Sequence, residues 1–175
     1  MKRLFIMRHA KAEPDALSKR DIDRALNDRG RRAADEIGQY FREQAYACGT
    51  VQCSAAARTR ETFGRLQPYV GDMVPVQFRE ELYLAEASAM LATVRLLDDK
   101  IPSAMFVGHN PGVAELALSL SAAPKDLRQE KRHRRMREKF STGSLAVIDF
   151  EVLHWGDVLP GQGTLTDFVR PRDLD

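Results

Sequence analysis

Arg8 and His9 stand side by side where the apolar run Leu4-Phe5-Ile6-Met7 stops. A neutral imidazole can act as a nucleophile, and a guanidinium beside it can grip an anion through two parallel donors. The pair has the make-up of a histidine that attacks phosphorus. A surface Arg-His at a strand end would look the same, and the dipeptide alone favours that plainer alternative. Two further turns carry related residues. Ser54-Ala55-Ala56-Ala57-Arg58 follows Thr50-Val51-Gln52-Cys53, and Gly108-His109-Asn110-Pro111 follows an apolar run over 104–107. Ser54 is expected to cap a helix with Arg58 one turn in, where free N–H groups and the helix dipole attract anions. Asn110 suits a cap and Pro111 the first helical position, which leaves His109 beside free amides. Arg58 could instead be one of several solvated arginines, with Arg60 and Arg65 close by. Two histidines and two arginines at strand ends make coincidence a poorer account.

Two histidines also raise the question of a metal. Zinc needs three or four nitrogen, sulfur or carboxylate ligands. Each histidine is flanked by an arginine or a helix N-terminus, and both repel a cation. The expectation is an anion pocket with no metal and no organic cofactor.

Strand-like and helix-like segments alternate along the chain, which predicts an α/β layer fold. The run Leu4-Phe5-Ile6-Met7 reads as a strand buried on both faces. A polar loop is expected over 11–26. A helix should start at Asn27, carry Ala33, Ile37, Tyr40, Phe41 and Ala45 at helical spacing, and stop at Gly49. Val74-Pro75-Val76-Gln77-Phe78 reads as an edge strand, because Pro75 has no N–H for a ladder. A helix with Met90, Leu91, Val94 and Leu97 follows, then the strand over 104–107 and a helix with Val113, Leu116, Ala117 and Leu120 on one face. Further strands are expected over 144–151 and 166–169. Ligands of open α/β sheets bind at the carboxyl ends of the strands, where all three polar turns fall.

The 175 residues are 43% hydrophobic and 30% charged, which suits a globular chain with one sizeable core. The net charge of +2 excludes a protein that coats polyanions with its whole surface. Cys48 and Cys53 are too few for a disulfide scaffold and are expected to be free thiols. No signal peptide is visible, and no stretch approaches the roughly 20 apolar residues of a membrane span. The expectation is a cytoplasmic protein without membrane contact.

With the three turns in view, the chain resembles the histidine phosphatase superfamily, which has the phosphoglycerate mutase-like fold. Within it, the SixA-type phosphohistidine phosphatases are most similar. The pieces that carry the resemblance run in order from residue 4 to residue 146: Leu4 through Ala12, Leu26-Asn27-Asp28-Arg29-Gly30, Ser54 through Thr62, Leu82-Tyr83, Val107 through Gly112, and Lys139 through Ala146. The resemblance implies a three-layer α/β/α sandwich with a mostly parallel central sheet, in a single domain over 1–175. It implies His9 as the nucleophile that accepts the phosphoryl group. Arg8, Arg58 and His109 would clamp its oxygens, with Asn110 in the phosphate-binding set. Many members carry a glutamate that protonates an alkoxide leaving group. Glu80, Glu81 and Glu86 flank Leu82-Tyr83, and Glu81 is the candidate acid, although ordinary solvated glutamates would also account for them. A weak acid motif favours phosphoramidate over ester substrates, because a protonated imidazole leaves well. The implied substrate is a phosphorylated protein, such as a histidine phosphotransfer protein.

Residues 124–139 hold eight Lys/Arg and three Asp/Glu, so the rest of the chain is net acidic. This segment reads either as a basic surface that steers an acidic phosphoprotein or as a solvated, partly disordered insertion. It has no interleaved aromatics for stacking on bases, which argues against nucleic acid. Two other functions remain open: a phosphatase of small phosphate monoesters, and a polyanion-binding module without turnover.

Overall fold

The computed structural model describes residues 1–16 and 19–174. Residues 17 and 18 of the loop expected over 11–26, and Asp175 at the end of the expected domain, lie outside the described residues. The described residues form strands β1 (Lys2–Arg8), β2 (Thr50–Ser54), β3 (Val76–Arg79), β4 (Ser103–Gly108), β5 (Leu145–Phe150) and β6 (Thr164–Val169). The helices are α1 (Asp28–Glu43), α2 (Ala57–Val70), α3 (Ala87–Arg95), α4 (Gly112–Leu120) and α5 (Leu127–Glu138).

One sheet has the order β3-β2-β4-β1-β5-β6. The pairings from β3 to β1 are parallel, and those of β5 with β1 and β6 are antiparallel. Five strands therefore run one way and β5 runs the other. Side chains alternate across a strand, so β1 feeds two cores. Leu4 and Ile6 join Met90 and Val94 of α3 and Val113 and Leu116 of α4. Phe5 and Met7 join Ile37 and Phe41 of α1 and Phe63 and Leu66 of α2. The result is the expected three-layer α/β/α sandwich. Strands β1 and β4 are neighbours, yet β1 leads to α1 on one face and β4 to α4 on the other. Their carboxyl ends flank the switch point at which such sheets open a crevice.

Several local expectations are corrected. Asn27 does cap α1, its side chain accepting from Gly30 N–H at 2.8 Å. The helix stops at Glu43 rather than Gly49, because the chain turns at Ala45 with φ of 53°. Gly49 instead donates its N–H to Ser103 at the entry to β2. Ser54 ends β2 and does not cap α2; Ala56 holds the cap position. Asn110 does not cap α4, whose cap position falls on Pro111. Helix α3 ends at Arg95, short of Leu97.

The basic segment is not a disordered insertion. It forms α5, capped by Asp126, with His133 and Met136 buried beneath it. Cys48 and Cys53 are buried unbridged thiols, and burial pushes both up to about 12. No helix among the described residues is long and apolar enough to cross a membrane.

Candidate active site

Parallel pairing of β1 with β4 puts Arg8 opposite Gly108, and His9 N–H donates to the Gly108 carbonyl at 3.0 Å. The next residue on each strand is a histidine. The two rings lie with centroids 5.2 Å apart. Strand β2, on the far side of β4, delivers Ser54 and the first turn of α2, with Arg58 buried. Arg8, His9, Arg58, His109 and Asn110 all line one open cavity of about 440 Å³. Glu81 does not. It is exposed, its carboxylate bonded to Arg79 at 2.8 Å, and its own backbone N–H and the Arg79 guanidinium hold its carboxyl below the usual range. The structure therefore leaves the candidate acid outside the pocket, ionised and engaged elsewhere.

A backbone hydrogen bond fixes the tautomer of His9. His9 Nδ1 lies 2.7 Å from the Ala10 carbonyl. A carbonyl only accepts, so Nδ1 carries the proton and Nε2 the lone pair. Burial, then the nearby Arg58 and Arg8, lower the His9 pKa to about 4. Ser54 Oγ accepts from Ala56 N–H and lies 2.8 Å from His109 Nε2. With the hydroxyl proton given to that nitrogen, Nδ1 of His109 carries the N–H. Burial, then His9 and Arg58, lower the His109 pKa to about 3. Both rings are neutral at pH 7, which suits a nucleophile and a neutral donor.

These depressed values predict acid instability. The unfolded state, with histidines near 6.5, binds more protons than the folded state below that pH. Stability is complete above about pH 6.5 and falls as pH drops toward 4. His9 alone should cost about 2 kcal/mol between pH 6.5 and 5. Urea unfolding at pH 7 and pH 5 should show a smaller loss for His9→Ala than for wild type; equal losses would refute the assignment.

The arginines are anchored by groups the sequence did not mark. Arg8 donates to the Phe140 carbonyl at 3.0 Å, and Asn110 Nδ2 donates to the same oxygen at 3.0 Å. Gly143 N–H sits against the Arg8 and His9 carbonyls at 3.1 and 2.9 Å. Its φ of 80° and a would-be Cβ 2.8 Å from Pro171 make glycine the residue that fits there. Arg58 donates twice to Asp21, to the backbone carbonyl at 2.7 Å and to Oδ2 at 2.9 Å. Tyr83 also donates to Asp21 Oδ2, and Arg24 donates to Oδ1 at 3.0 Å. The Tyr83 hydroxyl, helped by the two guanidiniums and opposed by burial, takes the Asp21 carboxyl down to about 2. Asp21 sits in the polar loop after β1, and nothing local in the sequence separates it from its neighbours there. Tyr83, part of the Leu82-Tyr83 piece, was the nearest signal.

Arg8 Nε, Arg58 Nε and His109 Nδ1 are buried and have no hydrogen-bond partner among the described residues. Unmet buried donors are costly, and these three belong to residues around one cavity. An anion with several acceptor oxygens satisfies such a set. No group of three or more His, Cys, Asp or Glu among the described residues is placed to hold a metal.

The family model for the histidine phosphatase superfamily (branch 1) matches residues 4–88, the stretch that holds Arg8, His9 and Arg58. SixA from Nakamurella multipartitia, provisionally described as a phosphohistidine phosphatase, is 30% identical with a TM-score of 0.81, over 97% of this chain and 96% of that one. The chain belongs to the histidine phosphatase superfamily. A second SixA, from Agrobacterium tumefaciens and described in the same provisional terms, is 27% identical with a TM-score of 0.80, over 97% of this chain and 98% of that one. An uncharacterized protein of Mycobacterium tuberculosis strain H37Rv is 35% identical over 168 residues, which is 95% of this chain and all of that protein. His109 and Asn110 lie beyond the stretch matched by the superfamily model, and the β1–β4 pairing brings them to it. Membership of the superfamily and the likeness to the two SixA structures support a phosphatase.

Proposed function

We propose that the protein hydrolyses phosphohistidine on a protein substrate through a phospho-His9 intermediate, without a metal. One observation carries this reading: a buried neutral His9, its Nδ1–H held by a carbonyl, sits among three residues whose buried donors lack partners. Nε2 attacks phosphorus, and the substrate's P–N bond breaks. The electron pair stays on the substrate imidazole, which leaves neutral because its nitrogen was protonated beforehand. Water then attacks the phosphoryl group, the P–Nε2 bond breaks, and inorganic phosphate leaves. Arg8, Arg58, His109 and Asn110 hold the equatorial oxygens throughout, which is most of what phosphoryl transfer asks of a protein.

The choice of phosphohistidine over an ester rests on the missing acid. Asp21 is the one carboxylate among the described residues lining the cavity, and it stays ionised down to about pH 2. An alkoxide would find no proton there, whereas an imidazole brings its own. Likeness to SixA proteins supports the same substrate. A histidine phosphotransfer protein is the expected class of partner. We also assign the protein to the cytoplasm, in keeping with two cysteines left as thiols.

Rapid-quench turnover of a phosphohistidine protein beside a panel of phosphate esters tests this. The expected result is acid-labile label on His9 and preference for phosphohistidine. Labelling with preference for an ester would keep the nucleophile and discard the substrate. No label from either would turn attention to a binding module.

A further inference from the structure

A second cavity, of about 350 Å³, adjoins the catalytic one and shares Arg8, Lys11 and Thr142 with it. Its other charged residues are Arg29, Lys139 and Arg172, so five cations and no carboxylate line it among the described residues. The whole chain has 27 Lys and Arg against 25 Asp and Glu, so this wall is far from the average surface. The cations come from four separate stretches: the end of β1 with the loop after it, the first turn of α1, the end of α5 and the C-terminal turn.

The two acids next to them in the chain are engaged by other arginines. Asp28, next to Arg29, pairs with Arg31. Asp173, next to Arg172, pairs with Arg135 and Arg170. Lys11, Arg29, Lys139 and Arg172 form no ion pair among the described residues, and all four are exposed. Arg29 also sits at the positive end of α1, where a cation opposes the helix dipole. Fold stability gains nothing from gathering these charges, so a ligand is the better account of them.

We propose that this cavity is a second anion subsite, which holds a phosphoryl or carboxylate group of the same substrate whose phosphoryl group enters the catalytic cavity. Thr142 and Ser141 add neutral donors to it, and Arg8 and Lys11 face both anions. The ligand class is a molecule with two negative groups a short span apart: an acidic side chain flanking phosphohistidine, or a second phosphate on a small molecule. The first source rests on the phosphohistidine reading; the subsite itself does not.

Two matched pairs of ligands test it, in wild type and in an R29Q/K139Q/R172Q variant. The first pair is a phosphohistidine peptide flanked by aspartates and one flanked by serines, compared by kcat/KM. The second is butane-1,4-diol bisphosphate and butyl phosphate, compared by calorimetric binding. Wild type should prefer the doubly anionic member of at least one pair by about tenfold or more. That preference should fade as ionic strength rises past about 0.1 M and vanish in the variant, whose handling of the singly anionic member stays within about twofold. The pair that discriminates identifies the source. No preference in either pair, or a preference the variant keeps, overturns the subsite. Failure of wild type to turn over any phosphohistidine peptide would sink the proposed reaction, and the bisphosphate comparison would still decide the subsite.

Discussion

Replacing His9 with alanine should lower kcat on a phosphohistidine protein by on the order of 10⁴-fold or more and abolish phosphoenzyme. The magnitude follows from the route. With Nε2 gone, water would have to attack the bound phosphoryl group directly, and no described residue is placed as a base to activate it. His109 is neutral, but its Nε2 is taken by Ser54. Asp21 is engaged by Arg58, Tyr83 and Arg24. Binding should survive, since Arg8, Arg58, His109 and Asn110 keep their anchors, so inorganic phosphate should still bind by calorimetry. The fold should survive as well, because His9 lies at the mouth of the sheet rather than between its layers. Residual turnover above about one part in a hundred, with phosphate binding intact, would mean that the imidazole assists an attack by water instead of carrying the phosphoryl group.

The parts of this site that were legible in the sequence share one property: each is fixed by its own few neighbours. An apolar run that stops at Arg8-His9, and another that stops at Gly108-His109, declare strand ends locally, and parallel pairing does the rest. The parts that were not legible depend on contacts distant in the chain. The Phe140 carbonyl holds both Arg8 and Asn110, yet a backbone oxygen has no letter in the sequence. Asp21 reaches Arg58 and Tyr83 across 37 and 62 positions. Ser54 and Asn110 were expected as caps because their side chains suit that task. Tertiary partners claimed them instead, His109 in one case and Phe140 in the other. The α5 segment misled for a different reason. Its buried side consists of only His133 and Met136 among many Lys and Arg, so the periodic signal was drowned by charge, although Asp126 was a legible cap.

Arg58 carries the second large expectation, and Asp21 makes it a test of mechanism rather than of charge alone. Arg58→Lys keeps the positive charge but loses the planar fork that spans Asp21 and a phosphoryl oxygen. kcat/KM should fall about 10²- to 10³-fold, the usual cost of removing one donor from a site that stabilises developing charge. Arg58→Ala should be worse, because it leaves the Asp21 carboxylate lining the cavity with one of its two counterions gone. A phosphate dianion would then meet a carboxylate compensated only by Tyr83 and Arg24. Adding Asp21→Asn to Arg58→Ala should therefore recover part of the loss, whereas Asp21→Asn alone should weaken turnover, because Arg58 keeps its bond to the residue 21 carbonyl but loses the charged half of its anchor. That reversal of sign between backgrounds, measured as kcat/KM and as inhibition by inorganic phosphate, is what coupled residues produce. Equal activities for the single Arg58→Ala variant and the double variant would show that the Asp21 charge is not felt at the phosphate. A change of less than about threefold for Arg58→Lys would show that a point charge suffices there, and that the fork geometry is not what the phosphoryl group requires.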